Sequence, residues 1–166
     1  VLVGTAGNSL ICVSGRVFSN NREIWRFTAA GDIRSIRASE DVSGDFFPDV
    51  FFGGADNYLY LCNGKTGDLI WSRNISGEVS SLDLVQDLTC DKKTEIVCGT
   101  QMSSVNCLSS NNGTALWHYS FENIGTIKNL VSVPDNTGDQ ISEIIAASTN
   151  NVVICLDGAA AIPIGF

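Results

Sequence analysis

The sequence predicts an all-β protein, a β-propeller of four-stranded antiparallel blades with about four blades, open or partial. Three observations predict it. A set of anchor residues recurs in one order every 46 to 48 residues. Each interval holds four short apolar runs, too brief for helices and rich in β-branched and aromatic residues. Glycine-bearing turns separate the runs, and a period of about 40–50 residues with this make-up is that of a propeller blade.

The anchors define the units. A glycine opens each unit at Gly31, Gly77 and Gly125, and an aspartate follows at Asp41, Asp87 and Asp135. A small residue then closes an apolar run at Gly53, Gly99 and Ala147, and a tryptophan follows at Trp71 and Trp117. Gly4 and Trp25 match the last two anchors of an earlier unit, with three extra residues between them. The next tryptophan slot falls on Gly165, in a tail unlike the others. The chain therefore reads as one domain, 1–166, with blade units roughly 1–30, 31–76, 77–124 and 125–166. The expectation is a fragment of about fifteen strands, cut from a larger propeller.

Within a unit the first strand (DIRSIRAS, EVSSLDLV, TIKNLVSV) alternates like a half-buried strand. The second (DVFFGG, EIVCGT, EIIAAS) is almost continuously apolar, which predicts burial on both faces. The third (YLYLCNG, SVNCLSS, VVICLDG) leads through turns such as NGKTGD to the fourth (LIWSRN, ALWHYS). One tryptophan per blade at a fixed slot predicts a ring filling the wedge between neighbouring blades. His118, the single histidine, lies beside Trp117 and reads as structural or solvent-exposed.

Composition narrows the function. The chain has 166 residues, 44% of them hydrophobic, and a net charge of −8. That charge argues against nucleic acid, whose phosphates need a basic face. No apolar run approaches the roughly 20 residues of a membrane-spanning helix. None of the six cysteines forms a CxxC pair, so a zinc knuckle is not expected. Cys12, Cys107 and Cys155 share a repeat slot with Leu61 and read as small buried hydrophobes. A bridge among Cys62, Cys90 and Cys98 stays open.

The run DVSGDFFPDVFFGGADNYLYLCNGKTGDLIW, with DLTCDKKTEIVCGT and VNCLSSNNGTALW as its second copy, resembles the quinoprotein-like (PQQ-like) propellers with FG-GAP-type repeats. The resemblance covers essentially the whole chain. Proteins of this kind include quinone-dependent dehydrogenases, outer-membrane assembly scaffolds and cell-surface binding proteins. The dehydrogenases hold their cofactor against two adjacent cysteines; no two cysteines are adjacent in this chain, so pyrroloquinoline quinone is not expected.

The loop DVSGDFFPD offers oxygen ligands from Asp41, Ser43, Asp45 and Asp49, with the carbonyl of Phe47 between them. Its 1-3-5-7-9 spacing resembles the calcium loops of FG-GAP repeats, and calcium takes six to eight oxygens. Weaker copies hold Asp135, Thr137, Asp139 and Glu143, and weakest of all Asp87, Thr89, Asp91 and Glu95, where Cys90 replaces the glycine and Lys92 and Lys93 oppose a cation. The alternative is turn chemistry, since Asp, Ser and Thr side chains bond their own backbone without a metal. Two sequons, at Asn74 and Asn112, favour an extracytoplasmic setting: secreted, periplasmic or cell-surface.

No nucleophile–base pair or phosphate loop is legible. The expectation is a non-catalytic binding module of a larger surface or secreted protein, with calcium as the candidate stabilising ion. Its partner would be a protein or glycan, and its end blades would meet the remaining blades of a parent chain or a second copy. The competing reading is a fragment of a quinoprotein-type oxidoreductase.

Overall fold

The computed structural model describes residues 1–16 and 22–159. Among them are fourteen strands and no helix. The first sheet holds β1 (Leu2–Gly4), β2 (Ser9–Val13) and β3 (Glu23–Thr28). The second holds β4 (Ile33–Ala38), β5 (Val50–Gly54), β6 (Tyr58–Cys62) and β7 (Leu69–Asn74). The third holds β8 (Val79–Val85), β9 (Glu95–Thr100), β10 (Ser104–Leu108) and β11 (Ala115–Ser120). The last holds β12 (Ile127–Val133), β13 (Glu143–Ser148) and β14 (Val153–Leu156). The Gly165 slot, and with it any fifteenth strand, lies outside the described residues.

Within every sheet the strands follow chain order and pair antiparallel. These are four consecutive propeller blades. The repeat extends to irregularities: the pairing of third with fourth strands shifts register at Cys12/Val13, Leu61/Cys62 and Cys107/Leu108. Such bulges re-aim the strand and increase its twist.

Three apolar clusters fill the seams between successive sheets. Val50, Phe52 and Tyr60 pack toward the first sheet with Leu10 and Trp25. Phe51, Leu59 and Leu61 point the other way, onto Val79, Leu82 and Ile96. The third seam joins Val97, Val105 and Cys107 to Ile127, Leu130 and Ile144. Alternate residues of β5 thus face opposite seams, which is why its run is apolar without interruption. Each such side chain, fully buried, contributes about 1.5–3 kcal/mol.

The small residue that closes each second strand has a packing cause. A Cβ on Gly53 would lie 2.8 Å from Val79, and one on Gly99 would lie 2.5 Å from Ile127. The first residue of the next blade's inner strand rests where a side chain would stand. At the outer rim, the indole Nε1 of Trp25, Trp71 and Trp117 donates to the carbonyls of Gly64, Ser110 and Gly158, at 2.9, 2.8 and 2.9 Å. Each tryptophan therefore fastens its own outer strand to a turn of the next blade.

All six cysteines are unpaired, so the bridge left open among Cys62, Cys90 and Cys98 is not formed. Cys107 and Cys155 are buried and Cys12 half-buried. No helix among the described residues is long and apolar enough to cross a membrane.

Candidate functional site

The three acidic loops join the first strand of a blade to its second, so blade repetition sets them along one edge of the molecule. They share a backbone conformation. The fourth residue of each has positive φ: Gly44 at 85°, Cys90 at 62° and Gly138 at 88°. So does the sixth: Phe46 at 71°, Lys92 at 69° and Gln140 at 72°. Two left-handed residues in nine curl the chain and aim several N–H groups inward.

The first aspartate of each loop accepts these donors. Asp41 takes Gly44, Asp45 and Phe46 N–H groups, at 2.6, 3.1 and 2.6 Å. Asp87 takes Thr89, Asp91 and Lys92, at 3.1, 3.2 and 2.7 Å. Asp135 takes Thr137, Gly138 and Gln140, at 2.9, 2.6 and 2.9 Å. In Asp41 and Asp87 desolvation pushes the carboxyl up, but the fan of N–H groups outweighs it, and both titrate below the ordinary aspartate value. In Asp135 the bonds from Gly138 and Gln140 dominate, with the same direction.

The ninth residue is a buried carboxylate in all three: Asp49, Glu95 and Glu143. Asp49 Oδ2 accepts from Val42 and Ser43 N–H, at 2.9 and 2.7 Å, and Asp49 Oδ1 from Gly64 N–H at 3.1 Å. Glu143 accepts from Asn136 and Thr137 N–H, at 2.8 to 3.0 Å. Glu95 takes the Thr89 hydroxyl at 2.8 Å and the Ser110 N–H at 2.9 Å. Burial pushes the Glu95 carboxyl up; the charges of Asp91 and Asp87 add to the rise, and its two hydrogen bonds only partly oppose it.

The loops differ in what they gather. One carboxylate oxygen from each of Asp87, Asp91 and Glu95 lies within 4.8 Å of the others, and the same holds for Asp135, Asp139 and Glu143. Asp41, Asp45 and Asp49 form no such group. The reasons are local. Aspartate at the ninth position is one methylene shorter than glutamate. The Asn63 amide also donates to Asp45 Oδ2 at 3.1 Å and to Ser43 Oγ at 3.2 Å. A donor thus stands among the oxygens that a cation would need. The all-oxygen sets of the other two loops suit a hard divalent cation. Glu143 closes its group. Lys93 does not sit over its own loop: its Nζ donates to the Val42 carbonyl at 2.8 Å and to Asn111 Oδ1 at 3.1 Å.

Neighbouring loops are tied together. Thr94 N–H donates to the Glu40 carboxylate. Gln86 donates to the Gln140 carbonyl at 2.8 Å and accepts from Ser142 N–H and Oγ, at 3.2 and 3.0 Å. On this edge Phe46 is 94% exposed. Phe47 beside it carries the Lys65 ammonium 4.5 Å from its ring centre. The sequence reading placed Phe46 in the loop but did not single it out, because nothing in DVSGDFFPD sets its side chain apart from that of Phe47.

The remaining sequence candidates are placed as follows. His118 is bonded through one ring nitrogen to Asn106 Oδ1 and through the other to Ser120 Oγ, both at 2.7 Å. Asn74 and Asn112 are exposed. Each closes a turn through its Oδ1, onto Ser76 N–H and Thr114 N–H respectively, both at 2.8 Å.

No family model and no curated protein matches the chain. Solved structures do. Sqt1 from Saccharomyces cerevisiae superimposes with a TM-score of 0.82 at 13% identity, over 99% of this chain and 47% of that one. Sqt1 from Chaetomium thermophilum, bound to the N-terminus of ribosomal protein L10, gives 0.75 at 14%, over 99% and 45%. The WD40 β-propeller domain of Doa1 gives 0.66 at 17%, over 93% and 45%. At these identities the likeness establishes the β-propeller fold. The chain spans less than half the length of each.

Proposed function

We propose that the chain is a non-catalytic, protein-binding stretch of a larger propeller, with calcium holding its acidic loops and an extracytoplasmic setting. The observation that carries the proposal is the loop edge itself: three like-folded acidic loops, hydrogen-bonded in series, with Phe46 standing almost wholly in solvent. An exposed aromatic on a rigid base is the residue type that anchors interfaces. The C. thermophilum Sqt1 complex supports this reading as an example of a similar fold engaging a peptide segment. The resemblance to FG-GAP-type loops supports the calcium. The exposed sequons support the location.

The chemistry of the other reactive groups supports a non-catalytic role. Burial pushes the Cys62 and Cys98 thiols up to about 12 and raises that of Cys155. A thiol so shifted is a poor nucleophile. Both nitrogens of His118 are engaged.

The test is photo-crosslinking from position 46 in the protein's native extract, with calcium present. A discrete protein adduct from position 46, absent from a crosslinker at exposed Thr114, is expected. Equal labelling from both positions, or none from position 46, would overturn the loop edge as the binding face.

A further inference from the structure

The repeat supplies its own control for the space between blades. At the first seam three slots carry aromatic rings: Phe27 on β3, Phe52 on β5 and Tyr60 on β6. Phe52 and Tyr60 stack at 4.9 Å, and Phe27 meets them at 5.3 and 5.6 Å. The register fixes the equivalent slots one blade on. Phe27 lies two residues after Trp25, as Arg73 lies two after Trp71. Phe52 pairs with Tyr60 as Cys98 pairs with Asn106. At the second seam three rings are thus replaced by Arg73, Cys98 and Asn106.

Two of the three replacements, Arg73 and Asn106, line a cavity of about 300 Å³. Its polar side is Arg73, Asn106 and His118, and its apolar side is Ile75, Leu108 and Ala115. Asn106, Ile75 and Leu108 are buried, whereas Arg73 and His118 stand at the open rim. The third seam repeats neither arrangement, with Tyr119, Ala146 and Ile154 in the same slots.

The groups in the cavity are held in place. Arg73 Nε donates to the Gly113 carbonyl at 2.9 Å, which fixes the plane of the guanidinium. Among the described residues no carboxylate pairs with it, although the chain carries a net charge of −8. No lining residue is acidic. Asn106 Oδ1 is bonded to His118, and His118 to Ser120. A planar cation with its terminal nitrogens open, beside an apolar wall, matches a carboxylate on a short carbon body.

We propose that the second seam is a binding site for a small carboxylate, its oxygens on the Arg73 guanidinium and its carbon body against Ile75, Leu108 and Ala115. The same chemistry comes from a free short-chain acid or from an acidic side chain of a peptide. The site is separate from the loop edge and does not depend on it.

The test is a nitrogen-15 NMR titration with butyrate, its neutral isostere butyramide, and N-acetylglutamic acid amide. Butyrate or the glutamyl compound is expected to give saturable shifts confined to the seam, including the Arg73 Nε–H and the Ile75 amide. Butyramide should bind at least about tenfold more weakly, since it lacks the charge that the guanidinium recognises. Tighter binding of butyrate would identify a free acid, and tighter binding of the glutamyl compound a peptide side chain. Arg73→Gln should lose about tenfold, and Arg73→Phe with Asn106→Tyr, which restores two of the first seam's three rings, should abolish binding. Butyrate and butyramide binding alike overturns the proposal. So does the absence of saturable seam shifts with either acid, a comparison that needs no variant.

Discussion

The indole Nε1 of Trp71 donates to the Ser110 carbonyl at 2.8 Å, tying the outer strand of the second blade to a turn of the third. Glycine at position 113, three residues beyond Ser110, lets the ring lie flat on the backbone: a Cβ there would come within 2.9 Å of Trp71 Cε3. The tryptophan therefore closes the rim through both its face and its edge.

Removing only the edge separates the two contributions. Trp71→Phe keeps most of the ring and leaves the Ser110 carbonyl unpaired, at a cost of about 1–2 kcal/mol. Trp71→Ala also opens a cavity and costs about 3–5 kcal/mol. Urea unfolding followed by circular dichroism reads both values. Equal loss in the two variants would mean that the hydrogen bond carries everything, which the packing does not allow.

Gly99 makes a second claim on the blade interface. Its missing side chain is the space Ile127 occupies, at 2.5 Å from where a Cβ would stand. Gly99→Ala should destabilise by about 1–3 kcal/mol through overpacking. The double variant with Ile127→Ala should lose less than the sum of the two single changes, since the second change vacates the space the first requires. Strict additivity in a double-mutant cycle would show that the two residues do not meet.

These contacts bear on what could be read from the chain alone. The blade repeat was legible because its packing constraints fall on residues with distinctive chemistry. Gly53 and Gly99 leave room for Val79 and Ile127, and one tryptophan per blade finds a turn carbonyl. The acidic loops were legible for the same reason. Which loops bring three carboxylates together was legible only in part: aspartate or glutamate at the ninth position stands in the sequence, but the Asn63 amide arrives from the turn after β6. The left-handed sixth position was invisible too, since Phe46, Lys92 and Gln140 share no side-chain property. The hollow second seam did leave a signal. Aligning units by tryptophan puts Phe27, Arg73 and Tyr119 in one column, and Tyr60, Asn106 and Ile154 in another.

Cys90 holds φ of 62° where Gly44 and Gly138 stand in the sister loops. A side chain with a Cβ is strained by roughly 1 kcal/mol in this region, and glycine is not. Glycine also loses more chain entropy on folding, which offsets part of the relief. Cys90→Gly should therefore raise the thermal midpoint modestly, by the equivalent of about 0.5 kcal/mol. A lower midpoint would show that the exposed thiol contributes a contact of its own.

Acid should act on the loops in two opposed ways. The folded-state pKa of Asp135 lies below its ordinary value of 3.8, so its carboxylate adds stability above that value and loses it as pH falls through the folded pKa. Glu95 has a folded pKa above its ordinary 4.5, so its contribution is fully present below that value and is lost as pH rises through the folded pKa. In chelator at neutral pH, Asp135→Asn should lower the thermal midpoint and Glu95→Gln should raise it. Both differences should shrink as the pH is taken down below about 4. Midpoints that stay offset by the same amount across that range would assign the effects to lost hydrogen bonds alone.

Calcium should reverse the sign of the Glu95 effect, and this gives the metal reading its sharpest test. A cation between Asp87, Asp91 and Glu95 offsets the mutual repulsion and burial that raise the Glu95 carboxyl. Wild type should then gain stability by ligand linkage, about 2.7 kcal/mol at a calcium concentration 100 times the dissociation constant. Asp91→Asn and Asp139→Asn should each remove part of that gain. Asp45→Asn should leave most of it, because Asn63 already donates to Asp45 and the first loop does not bring its three carboxylates together. Differential scanning calorimetry of these four proteins and of Glu95→Gln, with calcium and with chelator, reads the outcome. If Asp45→Asn alone abolishes the shift, the ion sits in the first loop and the geometry has been misjudged. If no protein responds, the three loops are turns held by their own N–H groups, and Glu95→Gln should remain the more stable chain at neutral pH whether calcium is present or not.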